Sequence, residues 1–261
     1  MRVATWNINS VKARHERLLG WLERCRPDVL CLQELKVVDE AFPSLAVKAL
    51  GYDAVVHGQK TYNGVAILSR TPPEDVHVGL GDDVDDPQAR LVSARVSGVH
   101  IVSAYFPNGG EVGSDKYAYK LRWMQRLRDY LDRRFDARRD QVLLTGDFNV
   151  APEDDDVARP DAWANGVLTH PEVRDALEHV RAFGLQDTFR PFHPRGGVYT
   201  WWDYRGRGFE RGDGLRIDHH YATPALAARA IGATVDRRER APSEDINEGP
   251  SDHAPVIVEY E

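Results

Sequence analysis

Short apolar runs recur along the chain and are separated by longer segments in which apolar residues follow a helical spacing. The runs are rich in Val, Ile and Leu, which favour strands. We therefore predict nine strands, at residues 2–8, 29–33, 52–57, 65–69, 91–96, 99–106, 142–145, 217–222 and 255–260.

Three segments between these runs have the periodicity of amphipathic helices. The first two lie at residues 11–25 and 117–131, where one face is mostly apolar. A third helix is expected to begin near Thr169, because Thr169 and Glu172 have the spacing of a capping box, and to end at Gly184. Strands interleaved with a few helices predict an α/β fold with mixed sheets sandwiched between helices.

Two segments resemble each other. VATWNIN near the start and LLTGDFN at residues 143–149 each end a predicted strand with Asn or Asp, any residue, and then Asn. This similarity suggests two related halves packed together. No Pro-, Gly- or Ser-rich linker and no low-complexity segment separates them, so residues 1–261 are interpreted as a single domain.

The composition is that of an ordinary globular protein, since 42% of the 261 residues are hydrophobic and 29% are charged. Two cysteines are too few for a disulfide framework or a zinc-finger spacing. Cys25 falls on a predicted helix and Cys31 on a predicted strand, so both are expected to be reduced and packed. The N-terminus has no apolar signal segment and no stretch is long enough to span a membrane, so we expect a cytoplasmic protein.

The net charge of −7 argues mildly against a nucleic-acid binder, which is usually basic. The charges are nevertheless unevenly distributed. Basic residues gather at residues 12–17, 116–139 and 205–216, and acidic runs lie at 82–86 and 154–156. Two interpretations stay open: solvated helix and loop faces, or a basic rim that holds phosphates around an acidic metal centre.

Polar side chains lie beside the ends of five predicted strands. A single residue of this kind is usually a cap or turn residue, but the same feature on five strands indicates a shared site. In layered α/β proteins, ligands bind in the crevice at the strand ends. The candidate residues are Asn7, Asn9, Glu34, Asp147, Asn149, Asp218, Asp252 and His253.

These residue types offer mainly hard oxygen ligands, which suit magnesium or manganese. One imidazole, that of His253, and the lack of a nearby thiol argue against zinc. Magnesium is typically held by one or two carboxylates and a substrate phosphate, so the set predicts phosphate chemistry. No Walker-type phosphate loop occurs, so an NTPase is not expected, and there is no G-x-S-x-G elbow either.

Six short motifs follow one another along the chain: WNIN at residues 6–9, LQELK at 32–36, YFPNG at 105–109, GDFNVAP at 146–152, GLRID at 214–218 and SDHAPV at 251–256. Together they resemble the exonuclease III family of apurinic/apyrimidinic endonucleases, in the DNase I-like endonuclease/exonuclease/phosphatase superfamily. Each motif is weak alone, whereas the ordered set is specific. The resemblance implies a four-layer α/β sandwich of two mixed β-sheets flanked by helices.

The resemblance also implies a magnesium site in which manganese can substitute. Glu34 resembles the principal ligand, with Asn7 beside it, and Asp252 would lie near the metal or the leaving oxygen. Some relatives carry a carboxylate where this chain has Asn9, so the number of metal ions, one or two, stays open. The implied metal-site residues are Asn7, Glu34, Asp147, Asn149 and Asp252.

Catalytic roles are implied in the same way. Asp147 would orient or deprotonate the attacking water, which Asn149 helps to place. His253 would donate a hydrogen bond to the scissile phosphate, with Asp218 fixing its ring, and Tyr105 would contact the phosphate. A cation and fixed donors would stabilise the charge that develops on the phosphoryl oxygens.

DNA contacts are implied at two places. Arg90, Asn108 and Lys116 match positions that contact the DNA backbone, while Trp201 and Ile217 match the wall of a lesion pocket. On an extended segment the two adjacent tryptophans of VYTWWDYR would face opposite ways, so that one can be buried while the other faces the cleft.

Two histidines, His219 and His220, follow Asp218 where relatives usually have apolar or aromatic residues. We interpret them as a packed or exposed pair in preference to additional metal ligands.

Three functional hypotheses remain. The first is a monomeric DNA-repair phosphodiesterase that acts on double-stranded DNA away from membranes. It would incise 5′ to abasic sites and, as a 3′-to-5′ exodeoxyribonuclease, remove nucleotides or blocking groups from 3′ ends. The second is a phosphatase or phospholipase of the same superfamily acting on small or lipid phosphates, and the third is a non-catalytic DNA-binding module. The YFPNG and GLRID motifs favour the first, and the complete set of metal and base residues argues against the third.

Overall fold

The computed structural model describes residues 1–243 and 247–261 of the chain. Within these residues the strands are β1 (Arg2–Asn7), β2 (Val29–Gln33), β3 (Asp53–His57), β4 (Val65–Ser69), β5 (Glu74–Val78), β6 (Leu91–Val96), β7 (Val99–Tyr105), β8 (Val142–Asp147), β9 (Gln186–Asp187), β10 (Asp218–Ala222), β11 (Ala230–Val235) and β12 (Val256–Tyr260). The α-helices are α1 (His15–Cys25), α2 (Ser44–Ala49), α3 (Asp115–Arg134), α4 (Pro160–Trp163), α5 (Pro171–Arg181) and α6 (Pro224–Ala227).

All nine predicted strands are present, with ends that differ from the prediction by at most two residues. The strands that the pattern did not predict, β5, β9 and β11, each lie at the edge of a sheet. An edge strand keeps much of its surface in water and needs no continuous apolar run. In β5 four of the five side chains are exposed, so a hydrophobic pattern could not reveal it.

The predicted capping box at Thr169 is wrong. Helix α5 begins at Pro171, and its N-cap is His170, whose side chain accepts a hydrogen bond from the Glu172 amide. Proline favours the first helical position, which leaves residue 170 just outside the helix. The Thr169 hydroxyl instead donates to the carbonyl oxygen of Trp163, the last residue of α4. The helix also ends before the predicted Gly184, which has a φ of 121° in the turn that follows.

The strands form two six-stranded sheets with the same pattern of pairing directions. The first sheet has the order β11-β12-β1-β2-β4-β3, and the second, taken from its other edge, β9-β10-β8-β7-β6-β5. The one parallel pair is β1 with β2 in the first sheet and β7 with β8 in the second. Strands β1 and β8, which carry the two similar segments, therefore hold equivalent positions, as expected for two related halves.

Apolar layers join the sheets and helices into a four-layer α/β sandwich. Between the sheets, Val3 and Cys31 of the first sheet share a cluster with Val92 and Ile101 of the second. Helix α1 packs Trp21 and its neighbours on the outer face of the first sheet, and α3 and α5 cover the outer face of the second. Both cysteines are free thiols, as predicted. No helix of the described residues is long and apolar enough to cross a membrane.

Candidate active site

The ends of the two parallel strand pairs meet at one edge of the sandwich. Asn7 ends β1, Glu34 follows β2, Tyr105 ends β7 and Asp147 ends β8. The Asn7 amide Nδ2 donates to Glu34 Oε1 at 2.8 Å and to Asp147 Oδ2 at 2.9 Å, so that it joins the two sheets. The Tyr105 hydroxyl donates to the same Glu34 oxygen at 3.0 Å. Carboxylates from both halves are thereby held in one hydrogen-bonded group.

Backbone conformation explains several of the motif residues. A Cβ added to Gly146, which has a φ of 146°, would lie 1.8 Å from the Ala104 carbonyl oxygen of the neighbouring strand. Only glycine therefore lets β8 approach β7 closely enough to seat Asp147. Glu34 and Asn149 have φ values of 52° and 50°. The left-handed conformation costs a residue such as Glu roughly 1–2 kcal/mol, so the surrounding contacts must hold it.

Asp147, Asp218 and His253 form a buried cluster behind these strand ends. Asp218 pairs in register with Asp147 across β10 and β8. His253 Nδ1 lies 2.9 and 3.1 Å from the two Asp218 oxygens, and its Nε2 lies 3.7 Å from Asp147 Oδ2. The Thr200 hydroxyl donates to Asp218 at 2.6 Å and completes the support of this carboxylate.

The charges of this cluster shift one another's pKa values. Burial raises the pKa of Asp147 to about 7; the nearby His253 charge opposes the rise and Asp218 adds to it. Burial alone would lower the pKa of His253, but the carboxylates of Asp218 and Asp147 outweigh it and raise the pKa to about 10. At neutral pH His253 is therefore a charged imidazolium, whose two N–H groups can both donate.

A further carboxylate of the site, that of Asp252, is held by two side-chain donors. Asn9 Nδ2 donates to Asp252 Oδ1 at 2.9 Å, and Trp201 Nε1 donates to Oδ2 at 3.0 Å. Burial works to raise the pKa of Asp252, but the His253 charge and these two donors lower it below its usual value. The ammonium of Lys36 also lies at the site, with its Nζ 2.9 Å from Glu34 Oε2. No role was predicted for Lys36 from the sequence.

These groups face an open cavity of about 430 Å³, here called the central cavity. Its lining includes the acidic residues Glu34, Asp147 and Asp252 together with Trp201 and Ile217. The prediction that the adjacent tryptophans face opposite ways is confirmed, because Trp202 is fully buried whereas Trp201 lines the cavity.

Trp163 of α4 also lines the central cavity, a position that was not predicted from the sequence. Its ring meets Trp201 edge-on with 5.7 Å between the centroids. Helix α4 has only four residues, too few to show any periodicity, so no sequence signal indicated this position.

A neighbouring cavity of about 500 Å³, the side cavity, shares Tyr105 and Asn108 with the central one. Arg90 and Lys116 lie in its wall. Arg90 is 9% exposed, and its Nε and Nη2 already donate to the Gln88 side chain at 2.9 and 2.8 Å, so it supplies charge more than free donors. Lys116 is exposed on the first turn of α3. The predicted DNA contacts thus all line these two cavities.

Some residues of the predicted basic runs are paired with acidic residues of this chain. Arg126 pairs with Asp82 at 2.7 Å and Asp86 at 2.6 Å, which neutralises part of one acidic run. Arg216 is buried against Asp156, with 2.7 Å between Nε and Oδ1. From the three basic runs, the residues that line the two cavities are Lys116 and Arg205.

His219 and His220 are a packed pair, in agreement with the preferred interpretation. Both are fully buried, and their Nε2 atoms lie 2.9 Å from the Val150 carbonyl oxygen and 3.2 Å from that of Val256. Burial lowers the pKa of His219 to about 3 and that of His220 to about 4, so both are neutral.

The donor set fits a hard divalent cation. Within the described residues, Asp147, Asp218 and His253 each offer a potential ligand atom, all within 4.8 Å of one another. Both Asp218 oxygens, however, are within hydrogen-bonding distance of the imidazole, and Asp218 does not line the central cavity. Among the described residues, the carboxylates in the lining of the cavity are those of Glu34, Asp147, Asp203 and Asp252, and the lining contains no thiol. Oxygen ligands of this kind suit magnesium or manganese.

Comparisons with known proteins agree with this geometry. Residues 4–253 match the model of the Endonuclease/Exonuclease/phosphatase family. The chain is 34% identical to exodeoxyribonuclease III of Haemophilus influenzae over an alignment that covers 100% of both proteins. The resemblance inferred from the six motifs is confirmed.

Two solved structures are similar over the whole chain. An AP endonuclease from Archaeoglobus fulgidus has a TM-score of 0.94 and 39% identity, with 100% of this chain and 99% of that one covered. The 3′ phosphatase NExo from Neisseria, bound to a product DNA hairpin, has a TM-score of 0.93 and 41% identity, with the same coverage. The predicted four-layer fold is confirmed.

Proposed function

The chain belongs to the endonuclease/exonuclease/phosphatase family, and we propose that it is a magnesium-dependent DNA-repair nuclease that incises duplex DNA on the 5′ side of abasic sites. The same centre is proposed to remove nucleotides and blocking groups, including phosphate, from 3′ ends. The observation that carries this proposal is the buried Asp147–His253–Asp218 cluster beside Glu34, at the wall of a cavity lined by Trp201.

Asp147 is proposed to act as the base. Its Oδ1 accepts the Asn149 amide at 2.9 Å and its Oδ2 accepts Asn7 Nδ2, also at 2.9 Å, so the carboxylate is held in one orientation. Burial raises the pKa of Asp147 to about 7. A base works best when its pKa lies near the working pH, and this value suits removal of a proton from the attacking water.

His253 is proposed to stabilise the charge that accumulates on the phosphoryl group. Asp218 holds one ring nitrogen, so the other, Nε2, is directed to the side of Asp147. A charged N–H donor fixed in a water-poor site stabilises a developing oxyanion without having to reorganise. Tyr105, whose hydroxyl donates to Glu34, and Asn149 would orient the phosphate and the water.

A bound magnesium ion, or manganese in its place, would polarise the phosphoryl and leaving oxygens as a Lewis acid. Glu34 is proposed as its principal ligand, with Asn7, Asp147, Asn149 and Asp252 near it. Asp252 stays ionised because its pKa is lowered, which suits a residue that holds a cation. The departure at Asn9 fits this picture, since its amide donates to Asp252.

Duplex DNA is the proposed partner. An abasic sugar leaves the helix easily because it has no base to unstack, whereas flipping out a normal nucleotide costs roughly a few kcal/mol. Trp201 and Ile217 would form an apolar wall for the bare sugar. The side cavity, with Lys116 exposed in its wall, would hold a neighbouring backbone phosphate. Since both sheets contribute to the site, we also propose that residues 1–261 act as one catalytic domain. The oligomeric state that we propose is a monomer.

The direct test is gel analysis of a labelled duplex series: intact, abasic, with a recessed 3′ end, and with a 3′-phosphate. We expect magnesium-dependent cleavage of the abasic strand and processing of both 3′ ends, with Asp147→Asn as the inactive control. Absence of cleavage on every duplex, with phosphate release from a small or lipid phosphate ester, would contradict the proposal and favour the phosphatase or phospholipase alternative.

A further inference from the structure

A single buried ammonium group joins three loops around the central cavity. Lys120 lies on the inner face of α3 and is fully buried. Its Nζ donates to the carbonyl oxygens of Asn149 and Val167, both at 2.7 Å, and of Asn108 at 3.1 Å. An ammonium has three N–H groups, so this arrangement uses all of them.

The three carbonyls come from three different segments. Asn108 lies in the loop after β7, Asn149 in the loop after β8, and Val167 between α4 and α5. All three residues line the central cavity. Lys120 therefore joins segments that approach the cavity from separate directions, although its own side chain does not line it.

The side chains of the same residues are joined as well. Asn108 Nδ2 donates to Asn149 Oδ1 at 3.1 Å, and Asn149 Nδ2 donates to the Phe106 carbonyl at 3.0 Å. Gly109, with a φ of 98°, leaves room for the lysine stem, because a Cβ there would lie 3.1 Å from Lys120 Cδ. Backbone and side chains of the two loops thus form one unit with Lys120 at its base.

Stability alone does not account for a lysine here. The partners of Nζ are neutral backbone carbonyls and the side chain is fully buried, so the charged amine is costly in this position. A well-packed apolar side chain is often at least as stabilising as a buried charge. What an apolar side chain cannot do is donate hydrogen bonds to the three loop carbonyls, so the ammonium has the distinct effect of holding these carbonyls together.

We propose that Lys120 is a positioning residue, whose ammonium fixes the backbone at Asn108, Asn149 and Val167 and so keeps the reactive groups of the central cavity aligned. It acts through Asn149, whose amide in turn orients Asp147. This inference rests on the proposed nuclease function for its kinetic consequence. Its structural consequence, the restraint of three loops, does not depend on the substrate.

The test compares Lys120→Met, which removes the donors but keeps the length, with Lys120→Gln, which keeps an N–H donor group on a shorter side chain. Leu127→Ala is the matched control, because Leu127 is a fully buried core residue of the same helix that lines neither cavity. Thermal unfolding places the three variants on one stability scale.

We expect kcat on the abasic duplex to fall about tenfold to hundredfold in Lys120→Met, the loss that a misplacement of about 1 Å produces. KM for DNA should stay near the wild-type value, since the exposed phosphate contacts are untouched, and Lys120→Gln should recover part of the rate. Amide hydrogen exchange at residues 107–110, 148–151 and 165–168 should become faster in Lys120→Met and not in Leu127→Ala.

Wild-type kcat together with wild-type exchange in Lys120→Met would overturn the inference. Equal loss of kcat in Lys120→Met and Leu127→Ala at equal stability would overturn it too, because Lys120 would then only stabilise the fold. If Lys120→Met does not fold, Lys120→Gln decides by the same two readouts: its shorter side chain has two N–H donors for three carbonyls, so kcat should still fall and exchange should still become faster, and wild-type values of both would overturn the inference. If the wild type cleaves no DNA, the proposed function fails, while the exchange comparison still decides whether Lys120 restrains the three loops.

Discussion

Asp218→Asn is expected to remove the charge of His253 while leaving the ring in place. The Asp218 oxygens lie 2.9 and 3.1 Å from His253 Nδ1, and among the groups that raise the pKa of His253 to about 10, the Asp218 charge is the largest. Without it, burial opposes only the charges of Asp147 and Asp252, so we expect the pKa of His253 to fall. At about pH 8 a histidine with the ordinary pKa of about 6.5 is charged in only about one molecule in thirty.

The rate of abasic-site incision at about pH 8 should therefore fall in Asp218→Asn by up to about thirtyfold, in proportion to the charged fraction of His253. The variant should also have its optimum at a lower pH than the wild type. The Asp218 charge raises the pKa of both His253 and Asp147. Its removal lowers both values, so the state with charged His253 and ionised Asp147 moves to lower pH.

Single-turnover incision measured across the pH range for Asp218→Asn, His253→Asn and the double variant tests this pairing. Residues that act as one unit are not additive, so the double variant should be little slower than the slower single variant. Asp187→Asn is the control for loss of a buried carboxylate, because Asp187 pairs with Arg216 at 2.8 Å and lines neither cavity. Losses that multiply in the double variant, or an unchanged pH optimum, would refute the reasoning.

Three further outcomes are expected. EDTA followed by metal-free dialysis should abolish activity. Glu34→Gln should raise the magnesium concentration needed for activity, whereas Asp147→Asn should lose about 10²- to 10⁴-fold in rate at saturating metal. Full rescue of Asp147→Asn by excess magnesium would show that Asp147 is not the base. Trp201→Ala should cut incision or 3′-end processing roughly tenfold or more, since apolar burial against a large side chain contributes about 1.5–3 kcal/mol. Trp201→Phe keeps an aromatic ring but loses the indole N–H bonded to Asp252. Wild-type activity of Trp201→Ala on every duplex would exclude the pocket role. Binding of duplex DNA by catalytically inactive protein should weaken with salt, at a slope of about −0.9 in log affinity against log salt for each phosphate contacted. Of the basic runs, Lys116 and Arg205 are the cations that line the two cavities, so the slope should be modest. A flat titration would exclude phosphate contacts by these two residues.

The elements with strong local signals could be predicted from the order of residues alone. Buried strands need continuous apolar runs, which is why β2, β4 and β6 were predicted with their observed ends. The polar residues at strand ends are a local signal as well, because each breaks a buried run, and the carboxylate-rich set implied hard-metal chemistry before any distance was known. The edge strands β5, β9 and β11 had no such signal, since their side chains are largely in water or their length is too short.

Distances between residues remote in the chain required the folded structure. Asn7 and Asp147 are 140 positions apart, and they touch because β1 and β8 end at the same edge of two packed sheets. The pKa of Asp147 follows from that burial and from its neighbours, so composition could not have predicted it. Lys120 belongs to a periodic apolar face on which a lysine looks like an exception, and only the three loop carbonyls around Nζ explain it. Hydrophobic periodicity is a property of neighbours in the chain, whereas hydrogen bonding and desolvation depend on neighbours in space.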